Sequence, residues 1–310
     1  MAIEDMGPAA FAGEREHPAH VRSASDLEVV IPTLGREILS SCLGGLIGGS
    51  ILPDRVIVVH QGDDSRIDSL IVDSKRAGLP VTLIRSSDRG RARGLNLGIA
   101  HVRSRFVAIT DDDCLPAADW VERMADLLRQ RPEAIVTGRV ESEGDEPAVD
   151  TFGDLRPAEW NRPRLRHDSL CGGNMGAALE VLREVGPFDE HESIATAEDC
   201  EYSYRALRRG VPILYDPEIL VRHLGWRLPE ERAIQYESYA RSYSAFLGRY
   251  LRRRDPFIVA RTVVHLGRSL RRWALGRVRG DVDRAASGRA YVRALVPGLF
   301  RGWRSEDPCR

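Results

Sequence analysis

The sequence predicts an α/β fold in which a mostly parallel sheet is flanked by helices and followed by a helical C-terminal extension. Two observations carry this prediction. Short β-branched runs alternate with segments of helical length through the first half of the chain, and a continuous helical pattern starts at Glu231. The 310 residues are enough for one such domain with an appendage. With 43% hydrophobic and 29% charged residues, the composition excludes a collagen-like or disordered protein.

Four apolar runs in the first half of the chain are typical of strands that are buried on both faces. They occupy residues 27–32, 55–60, 81–85 and 106–110, and segments of helical length separate them, with clear helical patterns at 67–77 and 95–102. Sheets of this kind bind ligands at the carboxyl ends of their parallel strands. The polar residues directly after each run are therefore the first candidates for a site.

The alternation continues beyond residue 119. The sequence predicts a helix after Asp119, a strand at 134–140, helices at 177–185 and 198–209, and a strand at 212–215. Residues 141–168 are acidic, then rich in Arg and Pro, and have no clear period. A loop of this length in a compact domain is usually functional or mobile.

The chain is predicted to have three parts. Residues 1–26 are polar and aperiodic, which indicates a flexible tail, residues 27–230 form the α/β domain, and residues 231–310 form a basic helical region. Residues 241–310 contain 17 Arg and five acidic residues, although the formal charge of the whole chain is only −1. The domain and the basic region are therefore expected to meet different partners.

Apolar residues in the basic region recur at helical spacing and define one face of a helix, with Arg on other faces. The apolar residues are Val259, Val263, Leu266, Leu270 and Trp273. The simpler interpretation is that this stripe packs on the α/β domain while the Arg side chains are solvated. The alternative is an amphipathic helix that makes peripheral contact with an anionic membrane. Aromatic residues are not interleaved with the Arg, so no nucleic-acid binding is expected.

Several classes of chemistry are excluded. Lys75 is the only lysine, so the chain has no P-loop and no other residue for a Schiff base. The five cysteines are widely spaced, so we expect neither a zinc site nor a disulfide framework. The first 20 residues do not contain the apolar core of a signal peptide, and no run approaches the length of a membrane helix. We therefore expect a cytoplasmic protein.

Three consecutive aspartates, Asp111, Asp112 and Asp113, follow the fourth apolar run. Adjacent like charges repel each other and lose hydration when partly buried, so a fold tolerates them only with compensation. Mg²⁺ or Mn²⁺ would supply it, because these cations bind carboxylates together with diphosphate oxygens. In strand geometry the side chains of Asp111 and Asp113 point the same way, so these two are the natural pair of ligands for one cation. The alternative is a solvated acidic turn.

A second group of candidates lies about 85 residues further on. Glu198 and Asp199 open a predicted helix, where carboxylates also serve as ordinary caps. The segment CGGNMG at 171–176 has three glycines around Asn174, which permits close approach of a ligand to the backbone. His223 is a candidate metal or oxygen contact, although a lone histidine is more often structural.

Taken together, the motifs resemble the family 2 glycosyltransferases of GT-A fold. They are IPTLGRE, DRGRARGLNLGIA, FVAITDDDC, CGGNMGAALEVLREVGPFDE, AEDCEYSYRALRRG and VRH, and they cover roughly residues 27–225 in the order of the family. The resemblance implies an inverting transferase that moves a sugar from a nucleoside-diphosphate sugar to a hydroxyl acceptor. It also implies Mg²⁺ or Mn²⁺ bound at a D-x-D motif.

The resemblance assigns a role to each matching residue. Asp199 would be the catalytic base, with Glu198 orienting it, and Asp111 would contact the ribose or base side of the donor. The metal would be held by Asp113 with Asp111 and His223. The remaining donor contacts would be Pro32, Thr33, Arg36, Gln61, Asp63, Arg91, Arg93, Asn96, Asp112, Gly173 and Asn174.

The sequence departs from the family pattern at two places. The segment HQGDDS puts His60 and Gln61 where an acidic pair commonly binds the base, which leaves uracil, guanine and thymine open. Leu95 stands where many members have Arg, and Arg91 or Arg93 would supply that charge. The other functions considered are a non-catalytic nucleotide-binding protein, a glycoside hydrolase and a sugar nucleotidyltransferase. Acceptor contacts are expected from residues 141–168 and from Tyr236, Tyr239 and Tyr243; the oligomeric state is left open.

Overall fold

The computed structural model describes residues 23–63, 65–143, 153–224 and 229–305, with side chains from residue 26 onward except at 229–233. The strands are β1 (Ser23–Thr33), β2 (Leu52–His60), β3 (Val81–Arg85), β4 (Phe106–Thr110), β5 (Cys114–Pro116), β6 (Ile135–Glu143), β7 (Ala158–Trp160), β8 (Asn174–Ala178) and β9 (Ile213–Leu224). The helices are α1 (Leu39–Ile47), α2 (Arg66–Arg76), α3 (Arg91–Ala100), α4 (Trp120–Gln130), α5 (Leu179–Val185), α6 (Glu198–Arg208), α7 (Pro229–Arg252), α8 (Pro256–Arg279) and α9 (Val282–Arg304). A short 3-10 helix covers Glu192–Ile194.

One sheet runs through the domain in the order β3-β2-β1-β4-β8-β6-β9-β5, and β7 pairs with β9. Strands β1 to β4 are mutually parallel, as the alternating pattern predicts. Strand β8 is antiparallel to both β4 and β6, whereas β6 and β9 are parallel. The predicted α/β class, with flanking helices and a helical C-terminal extension, is confirmed, and the antiparallel pairs lie in the second half of the sheet.

Three strand pairings bring distant segments to one edge of the sheet. Thr33 at the end of β1 pairs with His60 at the end of β2. Thr110 at the end of β4 pairs with Asn174, so the residues that follow Thr110 lie beside those that precede Asn174. Cys114 in β5 pairs with His223 in β9. The aspartates at 111–113, the glycines at 172–173 and His223 therefore meet at this edge.

Two predicted elements differ from the structure. Ala177 and Ala178, predicted as the start of a helix, are buried strand residues of β8, because the sheet centre accepts small side chains and α5 begins only at Leu179. The strand predicted at 212–215 continues through Asp216-Pro217 as part of β9. Proline cannot donate to a strand ladder, and the β6–β9 register shifts there, between Gly138 and Arg139.

Parts of two predicted segments lie outside the described residues. Of the predicted tail at 1–26, residues 1–22 lie outside them, and β1 begins at Ser23. Of the predicted loop at 141–168, residues 144–152 lie outside them. The rest of that segment contributes the end of β6 and the strand β7. The three-part division of the chain stays a prediction.

The C-terminal helices pack against the α/β domain through an aromatic cluster. Tyr204 on α6 lies 4.8 Å from Tyr250 and 5.7 Å from Phe246, both on α7, between ring centroids. Ile194 and Ala197, which precede α6, belong to the same cluster. Within the described residues, none of the helices combines the length and the apolar character that crossing a bilayer requires.

Helix α8 turns part of the predicted apolar stripe to solvent and buries an arginine. Val259, Val263 and Leu270 of the predicted packing stripe are 51%, 67% and 43% exposed, whereas Arg261 is 2% exposed. A buried charge requires a partner, and Arg261 forms an ion pair with Asp168 and donates a 2.9 Å hydrogen bond to Tyr243. The expectation that the apolar stripe packs on the domain is therefore wrong for these three residues.

Candidate active site

A cleft of about 470 Å³ opens at the carboxyl ends of β1, β2 and β4. Its walls come from the α/β domain and from the C-terminal helices, so the cleft lies between these two regions. The lining residues on the domain side include Pro32, Thr33, Arg36, Gln61, Arg91, Asp111, Asp112, Asp113, Gly173, Glu198, Asp199 and His223. On the helical side they are Tyr239, Tyr243 and Tyr291.

Asp112 fixes the loop after β1. Its carboxylate accepts a 2.6 Å hydrogen bond from the Thr33 hydroxyl and forms an ion pair with Arg36. Burial raises the pKa of Asp112, and the hydrogen bonds from Arg36 and Thr33 oppose that effect. All the oxygens of this buried carboxylate thus have protein partners. Asp112 holds the predicted nucleotide-binding loop in place, and a direct contact with the donor stays a prediction.

Asp111 and Asp113 converge although they do not belong to a strand. The backbone turns at this point, with the amide of Cys114 donating to the carbonyl of Asp111 at 3.1 Å. Ligand atoms of Asp111, Asp113 and Cys114 all lie within 4.8 Å of one another. The Nε2 atom of His223 lies 3.6 Å from Oδ1 of Asp113. The strand alternation used in the prediction is therefore replaced by a tight turn that achieves the same convergence.

This donor set fits a hard divalent cation. Two carboxylates and one imidazole are ligands that Mn²⁺ or Mg²⁺ accepts. Burial raises the pKa of the Cys114 thiol, so this residue stays protonated and is a poor ligand for such an ion. The Nδ1 atom of His223 is buried and has no hydrogen-bond partner among the described residues. Asp111 and Asp113 therefore have the chemistry that this ion requires, and a contact of His223 with the ion stays a prediction.

Arg91 connects the two ends of the cleft. It is the first residue of α3, and its guanidinium donates to Asp111 at 2.7 Å and to Glu198 at 2.9 Å. Burial lowers the pKa of a guanidinium, but the charges of Asp111, Glu198 and Asp199 outweigh it and raise the pKa of Arg91 well above its ordinary value. Arg91 therefore stays charged and compensates three carboxylates.

The carboxylates of Glu198 and Asp199 have different environments. Glu198 is buried, and burial raises its pKa to about 7 against the opposing effect of Arg91. Asp199 is half-buried and accepts hydrogen bonds from the backbone amides of Gly172 at 3.2 Å and Cys200 at 2.7 Å. Burial also raises the pKa of Asp199, which Arg91 and these amides oppose. Asp199 is thus held in one orientation at the cleft wall.

The two glycines before β8 are required by close packing. A Cβ at Gly172 would lie 2.9 Å from Arg91 and 3.1 Å from the Cβ of Asp199. A Cβ at Gly173 would lie 2.8 Å from Oδ2 of Asp111. All three distances are shorter than ordinary carbon contacts, so a larger residue would displace Arg91 or the side chains of Asp111 and Asp199. The predicted close approach at CGGNMG therefore serves the protein's own site residues.

Four predicted donor contacts do not line the cleft. The Asn96 side chain donates to the carbonyl of Phe188 and accepts a hydrogen bond from the amide of the same residue. The Asn174 side chain accepts from the Trp120 indole and donates to one carbonyl of β6 and one of β9. Arg93 lies near Glu190, and Asp63 is an exposed residue near Arg89. Among the residues that do line the cleft, Gln61 uses its amide nitrogen to hold the backbone at Asp88 and Gly90.

The far wall of the cleft contains one tyrosine that the sequence did not indicate. Tyr239 and Tyr243, two of the predicted acceptor contacts, line the cleft together with Tyr291 on α9. Tyr243 and Tyr291 pack edge to face with ring centroids 6.2 Å apart. Tyr236 is not among the lining residues of the described cleft. Tyr291 lies 48 residues beyond Tyr243 on a different helix, and no local motif marks it.

The chain is similar in sequence to known glycosyltransferases. The chain is 27% identical over 303 residues to a pre-mycofactocin glycosyltransferase of Mycobacterium tuberculosis, which covers 89% of this chain and 60% of the relative. It is 24% identical over 243 residues to a chondroitin synthase of Escherichia coli, covering 64% of this chain and 35% of the relative. The chain thus spans about 60% or less of the length of these two relatives.

Among solved structures, the fold is similar to that of the mannosyltransferase PcManGT from Pyrobaculum calidifontis in complex with GDP-Man and Mn²⁺. The TM-score is 0.59 at 15% identity, and the match covers 89% of this chain and 85% of the other. The model of the family described as "Glycosyltransferase like family 2" matches residues 24–243, more than half of the chain. The chain therefore belongs to the family 2 glycosyltransferases.

Proposed function

We propose that this protein is an inverting glycosyltransferase that moves a sugar from a nucleoside-diphosphate sugar to a hydroxyl acceptor. One observation carries the proposal: Arg91 joins a cation-binding group, built on Asp111, to a separate carboxylate pair at Glu198 and Asp199. A transferase of this type requires both groups in one cleft. The related mannosyltransferase structure, which contains GDP-Man and Mn²⁺, supports the same proposal.

The donor would bind at the carboxyl ends of β1 and β4. Thr33 and Arg36, positioned by Asp112, border that end of the cleft with Pro32 and Gln61. Asp111 and Asp113, the proposed D-x-D motif, and His223 would hold Mn²⁺ or Mg²⁺, which would neutralise negative charge on the diphosphate leaving group. Arg91 would add a fixed positive charge beside Asp111.

Asp199 would act as the general base. Its carboxylate would take the proton of the acceptor hydroxyl while the hydroxyl oxygen forms a bond to the anomeric carbon. The bond from that carbon to the diphosphate breaks, and the diphosphate leaves with the bonding electrons. Attack opposite the leaving group inverts the configuration. Glu198 contacts Arg91 rather than the Asp199 carboxylate, so it would act by positioning Arg91.

Metal-dependent donor binding tests this function. Thermal unfolding would be followed with GDP-mannose and with UDP- and dTDP-sugars, each with and without Mn²⁺. We expect one base class to stabilise the protein only when Mn²⁺ is present, and Asp113→Ala to abolish that shift. The matched control is Asp63→Ala, which removes an exposed carboxylate outside the cleft. No metal-dependent shift with any donor would contradict the proposal.

Turnover separates the transferase from the other functions considered. A non-catalytic nucleotide-binding protein would bind the donor in the presence of Mn²⁺ but release no nucleoside diphosphate with any acceptor. A glycoside hydrolase would cleave a glycoside without a nucleotide or a cation. Release of nucleoside diphosphate that requires both Mn²⁺ and Asp199 is expected from the transferase alone.

A cytoplasmic location with peripheral contact to the inner membrane face is part of the proposal. The exposed apolar residues Val259, Val263 and Leu270 support it, because the exposed Arg271 follows Leu270 on the same helix. Flotation with phosphatidylglycerol vesicles at low salt tests the contact. We expect the protein to float and Val259→Glu/Val263→Glu to remain at the bottom; absence of flotation by the unmodified protein would contradict the contact.

A further inference from the structure

Helix α8 presents a basic face to the cleft wall. Arg261, His265, Arg268 and Arg272 follow one another at spacings of four, three and four residues, so they lie on one side of the helix. This is the side that faces the α/β domain, since Arg261 is buried and bonds to Asp168. The basic face therefore runs along the junction between the domain and the C-terminal helices.

The first two members of the basic face support the tyrosine wall of the cleft. Arg261 donates to the Tyr243 hydroxyl at 2.9 Å. The His265 ring lies 4.6 Å from the Tyr243 ring and 4.8 Å from the Tyr291 ring, centroid to centroid. Burial lowers the pKa of His265 to about 4, so this ring is neutral. Arg268, one helical turn further, is the first charged residue of the face beyond the cleft wall.

Two arginines of the α/β domain add to this positive charge. Arg164 and Arg166 lie just before Asp168, the residue that holds Arg261. Burial lowers the pKa of Arg268, and the charges of Arg272 and Arg166 lower it further. The pKa of His167 is lowered by burial and by the charges of Arg268 and Arg164. The ion pair between Asp168 and Arg261 fixes the segment of Arg164 and Arg166 against α8. Arg268 and Arg272 follow Arg261 on the same side of that helix, so the four arginines lie at one junction.

The cationic cluster consists of Arg164, Arg166, Arg268 and Arg272. In the part of the chain that the structure describes, none of the four forms an ion pair with a carboxylate. Arg164 packs over the Trp160 ring at 4.9 Å. Asp168, the nearest acid in sequence, is already paired with Arg261. Clustered guanidinium groups without carboxylates are suited to an anionic ligand, because their forked donors match phosphate geometry.

We propose that this cationic cluster binds a phosphate group carried by the sugar acceptor. The donor diphosphate has its own proposed site near Asp111 and Asp113, so it does not require these arginines. The cluster adjoins the tyrosine wall through His265. That wall lies beside the segment that leads to Asp199, because the amide of Thr196 donates to the hydroxyl of Ser242, next to Tyr243. An acceptor hydroxyl would enter on this side. This inference deepens the proposed function by naming the class of acceptor. The phosphate site can be measured without donor or turnover.

Binding of two soluble phosphates tests the site. Glycerol 3-phosphate represents a water-soluble phosphomonoester, and dihexanoyl phosphatidylglycerol, kept monomeric, represents a lipid headgroup. Each would be titrated calorimetrically at low salt without Mn²⁺ or nucleotide, with glycerol as the neutral control. We expect saturable binding of at least one phosphate and none of glycerol. The probe that binds more tightly identifies the source of the phosphate.

A matched pair of variants identifies the residues. Arg268→Gln/Arg272→Gln removes two charges from the cluster, and Arg277→Gln/Arg279→Gln removes two exposed charges from the last turn of the same helix. We expect the first variant to weaken phosphate binding at least tenfold and the second to leave it within twofold. Arg272 is exposed and Arg268 half-buried, so both variants should fold, which circular dichroism would verify.

Two outcomes would overturn the proposal. One is that neither phosphate binds. The other is that both variants lose phosphate affinity equally, which would indicate only general electrostatic attraction. Failure of this test is distinct from failure of the proposed function. Donor binding that depends on Mn²⁺ and Asp113 would still be observed if the acceptor carried no phosphate. Conversely, phosphate binding at the cluster would persist if the protein transferred no sugar.

Discussion

Arg91 donates a 2.7 Å hydrogen bond from Nε to Oδ1 of Asp111, the first aspartate after β4. A terminal nitrogen of the same guanidinium reaches Glu198, 107 residues away in the sequence. The proposed donor end and the proposed base end of the cleft are therefore joined through one positive charge. Removal of that charge would leave Asp111, Glu198 and Asp199 uncompensated in a partly desolvated site.

Arg91→Gln is expected to lower kcat/KM for transfer by roughly 10² to 10³, the usual effect of losing one preorganised charge at a leaving group. Arg93→Gln, which changes a half-exposed arginine outside the cleft, is the matched control and should leave kcat/KM unchanged. Steady-state release of nucleoside diphosphate measures both variants. Similar rates for Arg91→Gln and Arg93→Gln would contradict this role of Arg91.

Asp199→Asn is expected to reduce kcat by about 10² to 10⁴, the range that general-base catalysis supplies. Donor affinity should not change, because Asp199 is not among the residues whose ligand atoms converge at Asp113. The comparison of kcat with donor Kd distinguishes a base from a structural residue. A parallel loss of donor affinity, or retention of turnover, would show that Asp199 is not the base.

The raised pKa of Glu198 should make the stability of the protein depend on pH. The Glu198 pKa is about 7 in the folded protein and near the ordinary glutamate value of 4.5 in the unfolded chain, so the folded state binds more protons between these values. The free energy of unfolding should therefore fall as the pH rises from about 4.5 to about 7, by up to about 3 kcal/mol from this group. The decline from Glu198 levels off about one pH unit above its folded-state pKa.

Urea unfolding at a series of pH values, without metal or donor, measures this dependence. Glu198→Gln removes the titrating group and should flatten the decline between pH 4.5 and 7. Glu122→Gln is a suitable control, because that carboxylate lies on the exposed side of α4. Identical slopes in the unmodified protein and in Glu198→Gln would show that Glu198 does not titrate in this range.

Much of the site could be predicted because it follows from local pattern. The ends of β1 and β4 are marked by buried apolar runs, and parallel strands necessarily bring Thr33 and Asp111 to the same edge. The placement of Glu198 and Asp199 at a helix start was also local information. What the pattern did not determine was which carboxylate has protein partners, since the contact of Asp112 with Thr33 spans 79 residues.

The remaining differences come from contacts between distant segments. Asn96 and Asn174 lie in family-like motifs, but their amides bond to backbone atoms about 92 and 45 residues away, at Phe188 and Ile219. The orientation of α8 depends on Asp168, which is 93 residues from Arg261. Helical periodicity separates an apolar face from a basic face. It does not identify which face meets the domain when a buried carboxylate can compensate the basic one.

The packing of α7 against α9 gives a prediction about stability. A Cβ at Gly302 would overlap the backbone carbonyl of Ala245, so the two helices touch backbone to backbone at this point. Gly302→Ala must push α9 away from α7, which is expected to cost about 1–3 kcal/mol of unfolding free energy. The matched control is Gly267→Ala in α8, where the added methyl group would have no atom within 4 Å. Because alanine is the better helix former, that variant should gain about 0.5–1 kcal/mol. Urea unfolding measures both, and equal stability of the two variants would contradict the close helix contact.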